Sequence, residues 1–199
     1  MALEPVLRRA YDLLNRWFMV PVHRLGLGAW IATPLGGHML LLRVRGRKTG
    51  QGRYVPLSYV IADGSAWVLA GYGVRTQWYR NILADPEVDA WLPGRVARCR
   101  ATEARDPSDR ARIIPLLARS IGLPGVMLGG DPWHATDDDI LAVASWVPLV
   151  RLDPVAGPIA AGPDDPGGHA WIWRQALVIW LVTAAVRAAL HRARRGGRR

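Results

Sequence analysis

The chain has 199 residues, half of them apolar, which is enough for one ordinary domain with a real core and too apolar for a disordered chain. Its formal net charge is +10, yet the last 13 residues carry six arginines and no acid, so residues 1–186 hold 20 basic against 16 acidic side chains. A body so weakly basic, with no aromatic-interleaved basic sheet, argues against nucleic acid as the partner, whereas the tail calls for an anionic one. Cys99 stands alone, which excludes an internal disulfide and any Cys-based metal site, and its alternating surroundings predict a packed thiol.

Arg8, Arg9, Asp12 and Arg16 break any leading apolar run, so no secretory signal is expected and a cytoplasmic location follows. Residues 4–20 read as an amphipathic helix with Pro5 in its first turn. A glycine-rich connection leads into a run of strands at 38–45, 53–62 and 66–71, separated by short turns, one of them Asp63-Gly64. A short helix over 76–86 ends at Pro86, and 87–92 with 95–104 form a hairpin about Pro93-Gly94. Asp106 caps a helix ahead of Pro107, and Thr136 with Asp139 resembles a capping box for another. A last strand lies near 147–155.

This pattern predicts an α+β fold, a small antiparallel barrel with flanking helices. Four parts follow: an N-terminal helix and connection over 1–35, the barrel over 36–153, a Pro/Gly linker over 154–168, and a Trp-rich apolar helix with a basic tail over 169–199. In the last part only Ala176 to Val186 is free of strongly polar groups, about 16 Å of helix against a bilayer core of about 30 Å. Trp171, Trp173, Trp180 and the arginines suit a helix lying on an anionic membrane surface; a short span or docking on protein remain the alternatives.

Two stretches carry candidate chemistry. Of the 26 basic side chains only Lys48 is a lysine, and it sits with Arg45, Arg47 and Arg53 around a turn bounded by Gly46 and Gly50. Such a turn can aim N–H groups and cations at phosphate or carboxylate oxygens, although it lacks the spacing of a nucleotide P-loop. The second stretch places Trp78 and Asn81 near one helix face. His134 beside Asp137, Asp138 and Asp139 fits no metal-ligand spacing; the acids sit where a helix start favours negative charge, so no metal is expected.

Gly46-Arg47-Lys48-Thr49-Gly50 with Arg53, Pro56-Leu57, the Asp63-Gly64 turn, Trp78-Tyr79-x-Asn81 and Ala84-x-Pro86-x-Val88 together resemble the deazaflavin-dependent nitroreductase family, the coenzyme F-420-dependent flavin/deazaflavin oxidoreductases. The resemblance covers roughly residues 36–155. It implies a split β-barrel that binds the 8-hydroxy-5-deazaflavin coenzyme F-420 and passes its hydride to quinones, enones or nitroaromatics. It also implies that Arg47, Lys48, Thr49 and Arg53 grip the coenzyme's phosphate and acidic tail. Pro56 and Leu57 would line the deazaflavin, with Trp78 and Asn81 shaping the next wall. No side chain need act as a nucleophile, because the coenzyme itself carries the hydride. The tyrosines that line some members' substrate pockets are missing between 121 and 139, so Tyr72, Trp133 and His134 are pocket candidates by location alone. A second copy of the chain is a further candidate partner, and the basic tail is expected to associate the protein with the inner face of the cell membrane. Two other readings stand beside this one. One is a barrel that binds flavin mononucleotide, haem or another anionic ligand without hydride transfer; the other is an interaction protein working through its basic tail.

Overall fold

The computed structural model describes residues 15–33, 37–122 and 134–196. Most of the expected N-terminal helix lies outside the described residues. What is described of it is a π-helical turn, Asn15–Met19, running into α1 (Val20–Arg24) and then α2 (Gly28–Ile31). Six strands follow: β1 (Met39–Arg45), β2 (Gly52–Ala62), β3 (Ser65–Leu69), β4 (Glu87–Leu92), β5 (Arg95–Ala104) and β6 (Leu149–Pro154). They close into a barrel in the order β1-β2-β3-β6-β5-β4, every pairing antiparallel. Closure leaves none of these six strands with a free edge.

Period-two alternation decides which side chains fill the barrel. Leu40, Leu42 and Val44 from β1, Tyr59 from β2, Ala66 and Val68 from β3, Val88 and Ala90 from β4, Cys99 from β5 and Leu152 from β6 form one interior cluster. β3 is buried on both faces. Its Trp67 points outward, fully covered, into a second cluster with Ile113, Ile114 and Leu117 of α4 (Pro107–Ser120) and Ile140 of α5 (Asp137–Val143). The α4 N-terminus is capped by Asp106, whose side chain accepts from the Ser108 N–H at 2.8 Å. At α5, Thr136 and Asp139 make a full capping box.

The hairpin turn between β2 and β3 has Asp63 and Gly64 both at positive φ, 52° and 72°, as an Asp-Gly two-residue turn demands. Residues 155–168, with their linker-like composition, run back against the barrel. The Ile159 N–H donates to the Gly64 carbonyl at 2.8 Å, and its side chain joins the interior cluster. Asp165 is fully buried and accepts from the Tyr59 hydroxyl, an Arg95 guanidinium nitrogen and the Gly162 N–H, each at 2.5 Å. This strap delivers the chain to α6 (Ala170–Gly196), a helix of 27 residues.

Candidate functional site

The Gly46–Gly50 turn joins β1 to β2 and is closed by its own backbone. Gly46 donates to the Gln51 carbonyl at 2.8 Å, and Gly50 to the Gly46 carbonyl at 2.7 Å. Gly50 adopts φ +67°, a left-handed conformation that side chains disfavour. A Cβ on Gly46 would come within 3.1 Å of the Thr49 hydroxyl and 3.2 Å of the Gln51 carbonyl. The motif's two glycines therefore serve the turn's compactness.

α3 (Gln77–Ala84) faces this turn, and the two candidate stretches meet there. The Arg47 guanidinium donates to Asn81 Oδ1 at 2.9 Å and to Gln77 Oε1 at 3.0 Å, and the Arg47 N–H also points at Asn81 Oδ1, at 3.3 Å. Asn81 is buried, and its oxygen is thereby satisfied. Arg47 thus braces the turn on the helix, while Lys48, Thr49 and Arg53 stand exposed around it. Gln77 was not singled out by the motif, yet its spacing of four from Asn81 puts both on one helix face.

Other expected residues are placed differently. Pro56 is buried and Leu57 half-buried on adjacent positions of β2, so their side chains point to opposite faces of the barrel wall and share no surface. Leu57 packs against the interior cluster. Trp78 is only 5% exposed, belongs to that same cluster and meets Tyr79 edge-to-face at 6.3 Å. Its ring packs into the core. Burial first, and then Glu103, raises the Tyr79 phenol above its ordinary pKa.

Tyr72 is exposed, at the mouth of a 3-10 turn, Gly73–Arg75, that leads into α3. The Thr76 hydroxyl donates to the Gly73 carbonyl at 2.7 Å and joins that turn to the helix. Gly73 has φ +66°, and a Cβ there would lie 2.7 Å from the Trp146 ring. Sequence gave no sign of this contact. Arg110 holds the Trp146 loop by donating to the carbonyls of Ala144 and Val147 at 3.0 Å each. Tyr72, Val74 and Trp146 thus leave an exposed apolar rim beside the α3 N-terminus.

His134 is exposed near the start of α5, and Trp133 lies outside the described residues. Two of the three aspartates that follow it have structural employment: Asp137 pairs with Arg119 at 2.6 Å, and Asp139 caps the helix. Among the described residues no three acidic, His or Cys side chains are grouped to hold a metal ion. Cys99 is fully buried, and burial, with Asp153 and Asp89 secondary, pushes its thiol up to about 11, which keeps it protonated and inert.

A groove of about 460 Å³ borders the turn. Arg43, Arg45 and Arg98 line it against Asp85, Glu87 and Asp89, with Gly50 and Gly52 at its edge. Arg43 is held by Asp89 at 2.8 Å, whereas Arg45 reaches Asp85 only at 3.9 Å and is largely exposed. Charged side chains dominate the groove, unlike the apolar rim at Tyr72 and Trp146.

Residues 21–121 match the family described as F-420H(2)-dependent quinone reductase. Among solved structures, the chain is similar to a conserved hypothetical protein from Mycobacterium tuberculosis, with 15% identity, TM-score 0.45, and coverage of 67% of this chain and 81% of that one. It is also similar to an F-420-H2-dependent reductase, FDR-A, with 20% identity, TM-score 0.39, and coverage of 58% and 93%. A third similarity is to the haem storage protein HutZ from Vibrio cholerae, with 16% identity, TM-score 0.37, and coverage of 60% and 82%.

Proposed function

The chain belongs to the F-420H(2)-dependent quinone reductase family, whose members are oxidoreductases using coenzyme F-420, and from that premise we propose that it reduces a hydrophobic acceptor, with quinones foremost and enones and nitroaromatics in the same class. The observation that carries the reading is the braced turn. Arg47 is spent on Asn81 and Gln77, so the turn keeps one shape, and three donors of suitable chemistry remain exposed around it.

The donor set fits an anionic coenzyme. Lys48 brings a compact ammonium, Arg53 a planar guanidinium and Thr49 a hydroxyl. Arg53's stem lies along Gly46, where a Cβ would come within 3.8 Å of it. These groups would hold the phosphate and acidic tail, with the loosely paired Arg45 as a further cation at the groove. When bound, coenzyme F-420 supplies the hydride chemistry.

The chain's own contribution is position and surroundings. The rim of Tyr72, Val74 and Trp146 offers apolar area to a flat acceptor and displaces water from it. Nearby cations favour negative charge developing on an acceptor oxygen. The exposed apolar side chains of α6 and the arginines from Arg187 onward fit an anionic membrane surface as a partner, which would bring the barrel to lipid-borne quinone at the inner face of the membrane.

The test is oxidation of reduced F-420 by purified protein, followed optically with a menaquinone analogue, a cyclic enone and a nitroaromatic as acceptors. Turnover that prefers the quinone supports the reading. Failure to oxidise the coenzyme with any of the three would refute it.

A further inference from the structure

α6 leaves the body through a clamp. Arg174 pairs with Asp164 through both terminal guanidinium nitrogens, Nη2 meeting Oδ2 at 2.9 Å, and also donates to the Ala29 carbonyl at 3.1 Å. Its guanidinium lies 5.8 Å from the Trp30 ring centroid and 5.0 Å from that of Trp173. Gln175 adds a contact to the Trp30 carbonyl at 3.4 Å. The base of the helix is thereby tied to α2 and to the strap. Beyond it every described side chain from Ala176 to Arg187 is exposed, apolar ones included.

One line of contact runs across this junction. Trp30 of α2 meets Trp173 edge-to-face at 6.2 Å, and Leu177 and Trp180 follow Trp173 at spacings of four and seven, on the same helix face. All four are exposed, Trp180 to 65%. We propose that this stripe, Trp30–Trp173–Leu177–Trp180, docks on an anionic lipid surface with α6 lying in the plane of the interface. The proposal rests on the reading of 169–199 given above and adds the contact residues and the clamp that orients the barrel.

Charge selects the occupant. No carboxylate side chain follows Asp165, while seven arginines do. Anionic headgroups complement that end; a second copy of the chain would bring the same positive charge to it. Tryptophan suits the boundary, where its ring is in acyl chain and its N–H in water. The uninterrupted apolar stretch covers about 16 Å, roughly half a bilayer core, and no helix among the described residues is long and apolar enough to cross a membrane. Arg174 is committed to Asp164, so it acts as the orienting group and leaves headgroup contact to the later arginines.

The test is co-sedimentation of the full chain with vesicles of phosphatidylglycerol and phosphatidylcholine, against phosphatidylcholine alone, at low and high salt. Binding should need the anionic lipid, weaken with salt, and fall about tenfold in the Leu177→Ser, Trp180→Ser double variant. These positions lie beyond the clamp, so the variant should fold and bind F-420 as the parent does. Unchanged vesicle binding in the variant, no binding to anionic vesicles, or a lipid-free dimer that the variant dissociates would each overturn the proposal. F-420 titration of the same preparations reports separately on the oxidoreductase reading.

Discussion

Replacing Asp165 with alanine should loosen the strap from the barrel. The carboxylate is fully buried and accepts from Tyr59, Arg95 and Gly162 at 2.5 Å each. The Arg95 side chain is 35% exposed and can turn to water, so its charge is the smaller loss. The Tyr59 hydroxyl is fully buried and keeps no such escape, and a buried orphan costs about 1–3 kcal/mol, while the half-buried Gly162 N–H loses its acceptor as well. Together with the lost charge pairing, the whole change should reach about 3–5 kcal/mol. For a chain of this size that lowers Tm by about 6–20 °C. The assay is urea and thermal unfolding followed by tryptophan fluorescence, with Tyr59→Phe as a comparison that removes one hydrogen bond and leaves the ring in place. Its cost should be about 1.5–3 kcal/mol, because the acceptor is charged. An Asp165→Ala variant melting within about 2 °C of the parent would refute the reasoning, since it would mean that the strap's anchor contributes little.

Gly50→Ala forces a side chain onto a left-handed backbone, which costs roughly 1–2 kcal/mol, and should weaken F-420 binding in equilibrium titration more than it lowers stability. Trp146→Ala should raise the quinone KM by about tenfold at nearly unchanged F-420 affinity, the loss expected for about 1–2 kcal/mol of stacking area; equal quinone KM in parent and variant would count against the rim. His38 is buried, and that burial, partly offset by Asp165, lowers its pKa below the usual imidazole value. Its unfolded form therefore takes a proton first as pH falls below about 6.5, so stability should decline from there toward the lowered folded value. His38→Gln should flatten that decline in urea midpoints measured between pH 7 and 5.

The barrel was legible because its signals are local. The Asp63-Gly64 turn, the alternation of β5 and the Thr136–Asp139 box each need only a few neighbouring residues, and each is found in its expected element. The meeting of Arg47 with Asn81, 34 positions apart, was legible only as two stretches that resemble one family. Composition misleads where tertiary partners decide. Residues 154–168 look like a linker, yet Asp165 finds Tyr59 and Arg95 at separations of 106 and 70. Trp78 reads as a wall residue from its family motif, and α3 packs it into the interior cluster, a contact its local sequence does not display. Pro56 and Leu57 are neighbours in sequence and therefore on opposite faces of one strand. Trp146 on Gly73 left no trace in the sequence, because a glycine's positive φ is set by the fold around it.

The central claim is that the turn at Lys48 holds the anionic part of coenzyme F-420. Equilibrium titration of oxidised F-420 and of flavin mononucleotide into the parent and the Lys48→Ala variant tests it most directly. Lys48 is exposed and the turn is braced through Arg47, so the variant should keep the parent's melting curve. The account predicts that the parent prefers F-420 and that Lys48→Ala weakens it by about tenfold or more, as the loss of a charge-assisted contact worth about 1.5–3 kcal/mol requires. F-420 affinity that is indifferent to Lys48, or a parent that prefers flavin mononucleotide, would contradict it.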